Sequence, residues 1–389
     1  MPRTYRVALL GCRARGTIIG RAYHRHLRTE LVALCDLMPE RRDTLGNELG
    51  VNARYDDLHR MIEETSPDIV AVPTGTEFHF DLCMAVLEHG GIHLDVEKPI
   101  TVDLNQADAL LAKAQKVGSK IAVHHQGRSG PALRAVAKLV NEGRIGEPRY
   151  VRASGKGYYG GYGLMNVGTH VVNAMMEITG PCRRILASVV TAGHPITPQD
   201  VLQAPSGMGI IAGEHITATL EFSGGMLGTL AQHRFGSVDA AAMGFEVLGD
   251  GGRVAWNQQK AAFLPVPHDT PAFGPQPWEQ LTLTAPPGVE EGNAEEHLYI
   301  EDFVQALDSD GEHPSCGAQG RHVLEVLMGI FESGAYARPV MLPLEHRDHP
   351  LVRWRKETQA GPMPQMPRPY REWLQAEGKR LGWSPSHVR

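Results

Sequence analysis

The chain has 389 residues, 42% of them hydrophobic and 21% charged, with 43 Gly and 27 Pro; that composition excludes a disordered or fibrous chain and, at about 150 residues per domain, predicts two domains or slightly more. The 38 Lys and Arg against 44 Asp and Glu give a net charge of −6 with His neutral, which excludes a general nucleic-acid binder, because phosphate binding needs a basic field. No apolar run approaches the length of a membrane span, and the opening Met1-Pro2-Arg3-Thr4-Tyr5-Arg6-Val7 lacks the apolar stretch of a signal peptide.

The first 125 residues alternate strand-like and helix-like patterns. Tyr5–Leu10 is a short strand followed at once by a Gly-containing turn, and Thr17–His26 continues as a helix. Leu31–Asp36 is a second strand, with Pro39 suited to the first turn of the next helix. Asp68–Val72 and Gly91–Val96 are further strands, with a helix over Phe78–His89 between them. Leu104–Val117 is a strong helix with Asp103 as N-cap, Gln106 completing a capping box and Gly118 after the last turn. Lys120–Val123 is a fifth short strand. Strands alternating with helices at this spacing predict βαβ units and a parallel sheet.

The pattern changes after a helix at Pro131–Glu142. Strand-like runs follow at Arg149–Ala153, Ile185–Thr191, His215–Phe222, Met226–Arg234, Phe245–Leu248 and Leu281–Thr284, with Ser223-Gly224-Gly225 as a tight turn. Helices are expected near Asn166–Thr179, Glu295–Leu307 and Gly317–Tyr336, and a Pro-rich loop over Pro265–Pro277. The fold class is therefore α/β: an N-terminal βαβ domain over 1–125 with a lead-out helix in 126–147, then an α+β domain with a largely antiparallel sheet over 148–350. The extension 351–389 holds Trp354, Trp373 and Trp383 and is expected to pack on its own domain or a neighbouring subunit.

The turn Gly11-Cys12-Arg13-Ala14-Arg15-Gly16 lies at the strand-to-helix junction where a dinucleotide fingerprint belongs. Gly11 allows the tight turn, Gly16 allows close helix packing, and the helix N-terminus offers N–H groups to a pyrophosphate. Arg13 replaces the usual middle glycine and must turn outward or touch phosphate itself. Asp36 ends the second strand, where a carboxylate accepts ribose hydroxyls and repels a 2′-phosphate. This favours NAD; Arg41 and Arg42, just beyond, leave NADP as the lesser option.

Glu97-Lys98-Pro99 ends the fourth strand, on the ligand side of an open α/β sheet. Pro73-Thr74 follows the third strand and His79 lies in the next helix. Together with the Gly loop, Gly143-Arg144-Ile145-Gly146, a later His-bearing helix and Val340-Met341-Leu342-Pro343-Leu344, these motifs in this order resemble the Gfo/Idh/MocA oxidoreductases, the family of glucose–fructose oxidoreductase and inositol dehydrogenase. The resemblance implies a Rossmann domain and an open-sheet domain with substrate between them. It implies an NAD(P)-dependent enzyme acting on a carbinol of a sugar, sugar derivative or cyclitol, and a homo-oligomer, dimer or tetramer. It adds Pro73, Thr74, His79, Glu97 and Lys98 to the cofactor-contact candidates Gly11, Cys12, Arg13, Ala14, Arg15, Gly16 and Asp36. Lys98 corresponds to the family's active-site lysine; its ammonium would stabilise charge on the reacting oxygen. A cis Lys98–Pro99 bond is in keeping with the family.

The second catalytic element is Asn166-Val167-Gly168-Thr169-His170. The family often shows Asp, three residues, then His; here Asn166 replaces the Asp. His170 suits removal of a hydroxyl proton, whereas Asn166 can orient it but supplies no charge. In a helix the two share a face. Gly155-Lys156-Gly157-Tyr158-Tyr159-Gly160-Gly161-Tyr162-Gly163 reads either as a loop placing Tyr158, Tyr159 and Tyr162 against a sugar ring, or as tyrosines packed on their own domain. Gln126, Arg128 and Thr169 complete the substrate candidates, with His124 and His125 nearby.

The five cysteines, Cys12, Cys35, Cys83, Cys182 and Cys316, form no C-x-x-C pair and read as reduced thiols in a cytoplasmic protein. His24/His26 and His346/His349 lack a surrounding ligand set, so no metal is expected. Two other functions remain open: a redox-assisted glycoside hydrolase or lyase with tightly bound, recycled NAD, and a non-catalytic NAD-binding sensor or subunit.

Overall fold

The computed structural model describes residues 3–234, 242–266 and 275–383. It divides into two compact units, the first comprising Met1–Thr101, Asn105–Gly130 and Ala285–Arg321, the second Val102–Leu104, Pro131–Thr284 and His322–Arg389. Among the described residues no helix is long and apolar enough to cross a membrane.

The first unit is built on β1 (Tyr5–Leu10), β2 (Thr29–Cys35), β3 (Arg54–Tyr55), β4 (Ile69–Val72), β5 (His93–Val96) and β6 (Ile121–Val123). They form one sheet in the order β3-β2-β1-β4-β5-β6, every pair parallel. Burial on both faces explains why Ile69–Val72 is apolar without alternation. The connecting helices are α1 (Ala14–Arg25), α2 (Pro39–Leu49), α3 (Leu58–Thr65), α4 (Thr76–Glu88) and α5 (Leu104–Val117). The strand order reverses between β1 and β4, so their carboxyl ends open the crevice where such sheets bind ligands. The two-residue strand β3 is too short to carry a periodic signal and is absent from the sequence reading.

The second unit begins with α6 (Pro131–Asn141) and β7 (Pro148–Ser154). A continuous helical run follows: α7 (Gly160–Gly163), a π-turn at Leu164–Gly168 and α8 (Thr169–Thr179). Next come β8 (Cys182–Thr191), the short β9 (His194–Pro195), β10 (Leu202–Gln203) and β11 (Ile210–Ile211), then β12 (His215–Phe222) and β13 (Leu227–His233). The remaining strands are β14 (Gly244–Gly249), β15 (Arg253–Trp256), β16 (Ala261–Leu264) and β17 (Glu279–Gln280). The main sheet runs β17-β16-β15-β14-β7-β13-β12-β8-β18, where β18 is Val340–Met341. Its pairs are antiparallel except β7 with β13. The turn at 223–225 closes β12 onto β13 as expected.

Three expectations need correction. Leu281–Thr284 is not a strand; the chain pairs two residues earlier, at Glu279–Gln280. The helix expected from Asn166 begins at Gly160, because glycines hide a helical start from a periodicity search. The segment 285–321, read from sequence as part of the second domain, clusters with the first. Its helix α9 (Ala294–Asp308) buries Tyr299, Ile300, Phe303 and Val304 in one core with Val7, Leu9, Ile19 and Leu34. Of the Pro-rich loop, residues 267–274 lie outside the described residues.

The last helices among the described residues are α10 (Gly317–Tyr336), α11 (Pro350–Glu357) and α12 (Tyr370–Leu381). In α12, Trp373 is fully buried and donates its indole N–H to the Gln203 carbonyl at 2.8 Å. The extension is therefore an integral layer of the second unit.

Candidate functional site

The Gly11–Gly16 turn joins β1 to α1. Gly11 adopts φ +116°, where a side chain is strained, and a Cβ on it would stand 3.2 Å from Thr74 Cγ2. A Cβ on Gly16 would lie 1.9 Å from the Gly11 carbonyl oxygen, so Gly16 is dictated by closure of the turn itself. Arg13 occupies the N-cap of α1, is exposed and makes no capping hydrogen bond. It turns outward, which leaves the first-turn amides of α1, around Ala14 and Arg15, without a side-chain cap. This uncapped helix start, with no room for a Cβ at its glycines, fits a pyrophosphate.

Cys12 contributes differently from the expectation. Its N–H donates to Asp36 Oδ2 at 2.8 Å, and its buried thiol is pushed up to about 12 by burial and then by Asp36. Asp36 also accepts the Met38 N–H through Oδ1 at 2.8 Å, and the Arg42 guanidinium donates to its carbonyl at 2.9 Å. Two backbone amides thus fix the carboxylate at the end of β2, and each oxygen retains a lone pair for a ribose hydroxyl.

The β5 exit carries Glu97, Lys98 and Pro99, with a cis Lys98–Pro99 bond. His79 is fully buried; its Nδ1 lies 2.9 Å from the Pro99 carbonyl and its Nε2 3.2 Å from the Thr74 carbonyl. It therefore ties the Pro73-Thr74 turn to the Lys98-Pro99 turn. Burial lowers the affinity of Lys98 for its proton, against the support of Glu97 and with further opposition from Arg15. His125, beside it, is pushed well below its ordinary value by burial, then by Lys98 and Arg128. Lys98, His125 and Arg128 thus share one local field, and Gln126 and Arg128 sit on a short 3-10 turn after β6.

A buried ionic chain escapes the sequence reading. Asp95, on β5, accepts the hydroxyls of Tyr23 at 2.9 Å and Tyr299 at 2.8 Å and faces His124 Nδ1 at 2.9 Å. His124 Nε2 lies 2.7 Å from Glu296 Oε2, and Glu296 Oε1 accepts from Arg15 at 2.8 Å. Arg15 also binds Glu97 at 2.5 Å. Burial opposes the imidazolium of His124, yet Asp95 and Glu296 outweigh it and hold the group up at about 9. Burial likewise opposes the Glu296 carboxylate, yet His124 and Arg15 hold it down at about 2. Arg15, expected at a cofactor, is committed to this chain. The one available signal was that β5 reads His93-Leu94-Asp95-Val96, with a charge inside a buried strand.

In the second unit the Gly-rich loop follows the second of its two readings. Tyr159 is fully buried, edge-on to Trp373, and donates to Glu377 Oε1 at 3.2 Å. Tyr162 is buried and stacked on Tyr370 at 4.6 Å. Neither is presented to a sugar, and of the three tyrosines only Tyr158 keeps intermediate exposure. A Cβ at Gly155 or Gly163 would meet the side chain of Gln232 at 1.8 or 2.2 Å, and one at Gly160 would meet the Glu214 carbonyl at 2.6 Å. The glycines make room for neighbouring protein, not for a ligand.

Thr169 is also fully buried, whereas Asn166 and His170 are half-buried. Asn166 lies within the π-turn and His170 in the first turn of α8. The expected α-helical i, i+4 relation is thereby altered, since a π-turn advances less per residue. Such turns concentrate at functional sites.

Residues 5–125 match the family model described as an oxidoreductase family with an NAD-binding Rossmann fold, and residues 133–255 match the GFO/IDH/MocA C-terminal domain. The chain is 26% identical over 184 residues to D-apiose dehydrogenase of Paraburkholderia graminis, covering 44% of this chain and 49% of that one. It is 28% identical over 193 residues to D-glucoside 3-dehydrogenase of Escherichia coli, covering 45% and 54%. The chain thus spans about half the length of the curated relatives it matches. Its fold is similar to an oxidoreductase from Agrobacterium radiobacter in complex with NAD+, L-tartaric acid and magnesium, with a TM-score of 0.70 at 18% identity, covering 87% of this chain and 98% of that one.

Proposed function

Because the chain belongs to the Gfo/Idh/MocA oxidoreductase family, we propose that it is an NAD-dependent dehydrogenase acting on a carbinol of a sugar, sugar derivative or cyclitol. The observation that carries this reading is Lys98, a half-buried ammonium at the carboxyl end of β5 in a first unit whose Gly11–Gly16 turn and Asp36 suit a dinucleotide. NAD, when bound, supplies the hydride acceptor. Uncapped amides at the start of α1 hold its pyrophosphate, and Asp36 takes its ribose hydroxyls and disfavours NADP. Lys98 donates a hydrogen bond to the reacting oxygen and stabilises the charge that develops there. His170 removes the hydroxyl proton through a ring nitrogen, and Asn166 orients substrate or ring. Gln126, Arg128 and Tyr158 remain the substrate-contact candidates.

The second unit also supports a homo-oligomer. Leu186, Leu227 and Met341 are exposed, and the register β18–β8–β12–β13 puts them on one sheet face. Sedimentation of the wild type against Leu186→Glu tests this, a dimer or larger species being expected to dissociate.

Turnover is tested by nicotinamide absorbance over a panel of sugars and cyclitols, with Lys98→Ala and His170→Ala. Loss of at least 100-fold in kcat/KM in both is expected, about 3 kcal/mol each; undiminished turnover in both overturns the assignment. Release of an aglycone with no net nicotinamide change would replace it with redox-assisted glycoside cleavage, which Asn166, supplying no charge to His170, also accommodates.

A further inference from the structure

Arg15 divides its guanidinium between two carboxylates. Its Nε reaches Glu97 at 2.5 Å and its Nη1 reaches Glu296 at 2.8 Å. The second oxygen of each is committed as well: Glu97 Oε2 accepts the Lys98 backbone N–H at 3.0 Å, and Glu296 Oε2 faces His124 at 2.7 Å. Hydrogen bonds are therefore continuous from Glu296 through Arg15 and Glu97 to Lys98. Glu296 lies outside both matched family stretches, 281 positions from Arg15 in sequence.

We propose that Glu296 is a positioning residue which, by holding one arm of Arg15, fixes how much of that guanidinium's charge Glu97 receives and so sets the orientation and field of the Lys98 turn. The inference rests on the function proposed above only in taking Lys98 as the catalytic group.

The two ends of the Arg15–Glu296 pair act on Lys98 with opposite signs. Without the Glu296 charge, the Arg15 fork closes on Glu97 alone and neutralises it more fully. Lys98 then loses carboxylate support. Without Arg15, the Glu97 charge stands unopposed beside Lys98 and supports its ammonium more strongly. The other groups facing this path are His124, Asp95, Tyr23 and Tyr299 at the Glu296 end, and His125 and Arg128 at the Lys98 end. The two substitutions remove none of these six side chains. Glu296→Gln withdraws one of the two carboxylates that hold the His124 proton, and so adds to the loss of local negative charge in the same direction only where Asp95 keeps His124 protonated.

The test uses the full chain labelled with 13C-lysine, following the Lys98 Cε resonance, assigned through Lys98→Arg, across a pH titration. Relative to wild type, the Lys98 titration is expected to move down by about one unit in Glu296→Gln and up by about one unit in Arg15→Gln. No shift in either, or shifts of the same sign, would mean a merely structural role and overturn the proposal. If Glu296→Gln does not fold, Glu296→Asp keeps the charge at shorter reach; a smaller downward shift is expected, and an unmoved Lys98 overturns the proposal equally. The measurement needs neither substrate nor nicotinamide. A chain that oxidises no polyol yet shows the opposed shifts would remove the functional reading and leave this coupling standing.

Discussion

Tyr159 donates its hydroxyl to Glu377, 218 positions further along the chain, and both groups are buried. Glu377 in turn binds Arg380 at 2.7 Å, and Trp373, one turn earlier on α12, meets the Tyr159 ring edge-on. The loop that leads to His170 is thus held from behind by the last helix.

Removing that support should destabilise the second unit without touching the nucleotide turn. Trp373→Ala is expected to cost about 3–5 kcal/mol. Glu377→Ala, which strands the Tyr159 hydroxyl and leaves Arg380 only its longer contact with Asp200 at 3.5 Å, should cost about 3 kcal/mol. Denaturant midpoints measure both. Tyr159→Phe should lower stability slightly and leave KM unchanged; a large rise in KM would return Tyr159 to the substrate candidates.

Stability should pass through a maximum near neutral pH. The folded value of His124, about 9, exceeds its unfolded value of about 6.5. Its contribution is therefore full below about 6.5 and lost as pH rises through about 9. His26, His313 and His349 are lowered to about 4, chiefly by burial, so the unfolded chain binds more protons and stability rises between about 4 and 6.5. Tm measured across this range should rise and then fall, and His124→Gln should flatten the alkaline side alone. An unchanged alkaline slope in that variant would contradict the charged state of His124.

Gly16→Ala should weaken NAD binding tenfold or more, since its Cβ must displace the Gly11 carbonyl, a strain of about 1–3 kcal/mol. Calorimetric titration with NAD reads this directly. Equal affinity in the variant would show that the turn does not hold the pyrophosphate.

Asp36→Asn should keep one of its two backbone contacts, to Cys12 or to Met38, and lose the other together with the negative charge. NAD affinity is expected to fall about tenfold and NADP affinity to rise, narrowing the preference from both sides. Paired titrations with the two nucleotides check it; an unaltered ratio would place cofactor choice elsewhere, with Arg41 and Arg42 as the next residues to vary.

The nucleotide turn was legible because its constraints are local: a positive φ and a carbonyl 1.9 Å from a missing Cβ select glycine without regard to the rest of the chain. The parallel sheet was legible for the same reason, through apolar runs such as Ile69–Val72. What failed depended on distant partners. A glycine reports that space is short, not who fills it, so the 155–163 tract reads alike whether a sugar or Gln232 lies opposite. The helix at Glu295–Leu307 was found, but its apolar stripe would suit either unit, and only the joint core of Tyr299 with Leu9 decides. Asn166 and His170 keep their spacing in any helix, and no residue type announces the π-turn through which Asn166 runs.

The return of α9 to the first unit also sets an order for synthesis. A nascent chain ending at Gly130 already holds Arg15, Asp95 and His124, but Glu296 and Tyr299 have yet to be translated. Its sheet can pair, yet Arg15 and His124 would lack Glu296 and Asp95 would lack the Tyr299 hydroxyl, leaving each of the three with only part of its buried polar partners. Translation from N- to C-terminus therefore makes all of residues 131–284 before the first unit can close, and the nucleotide-binding half is completed by residues made after most of the other half.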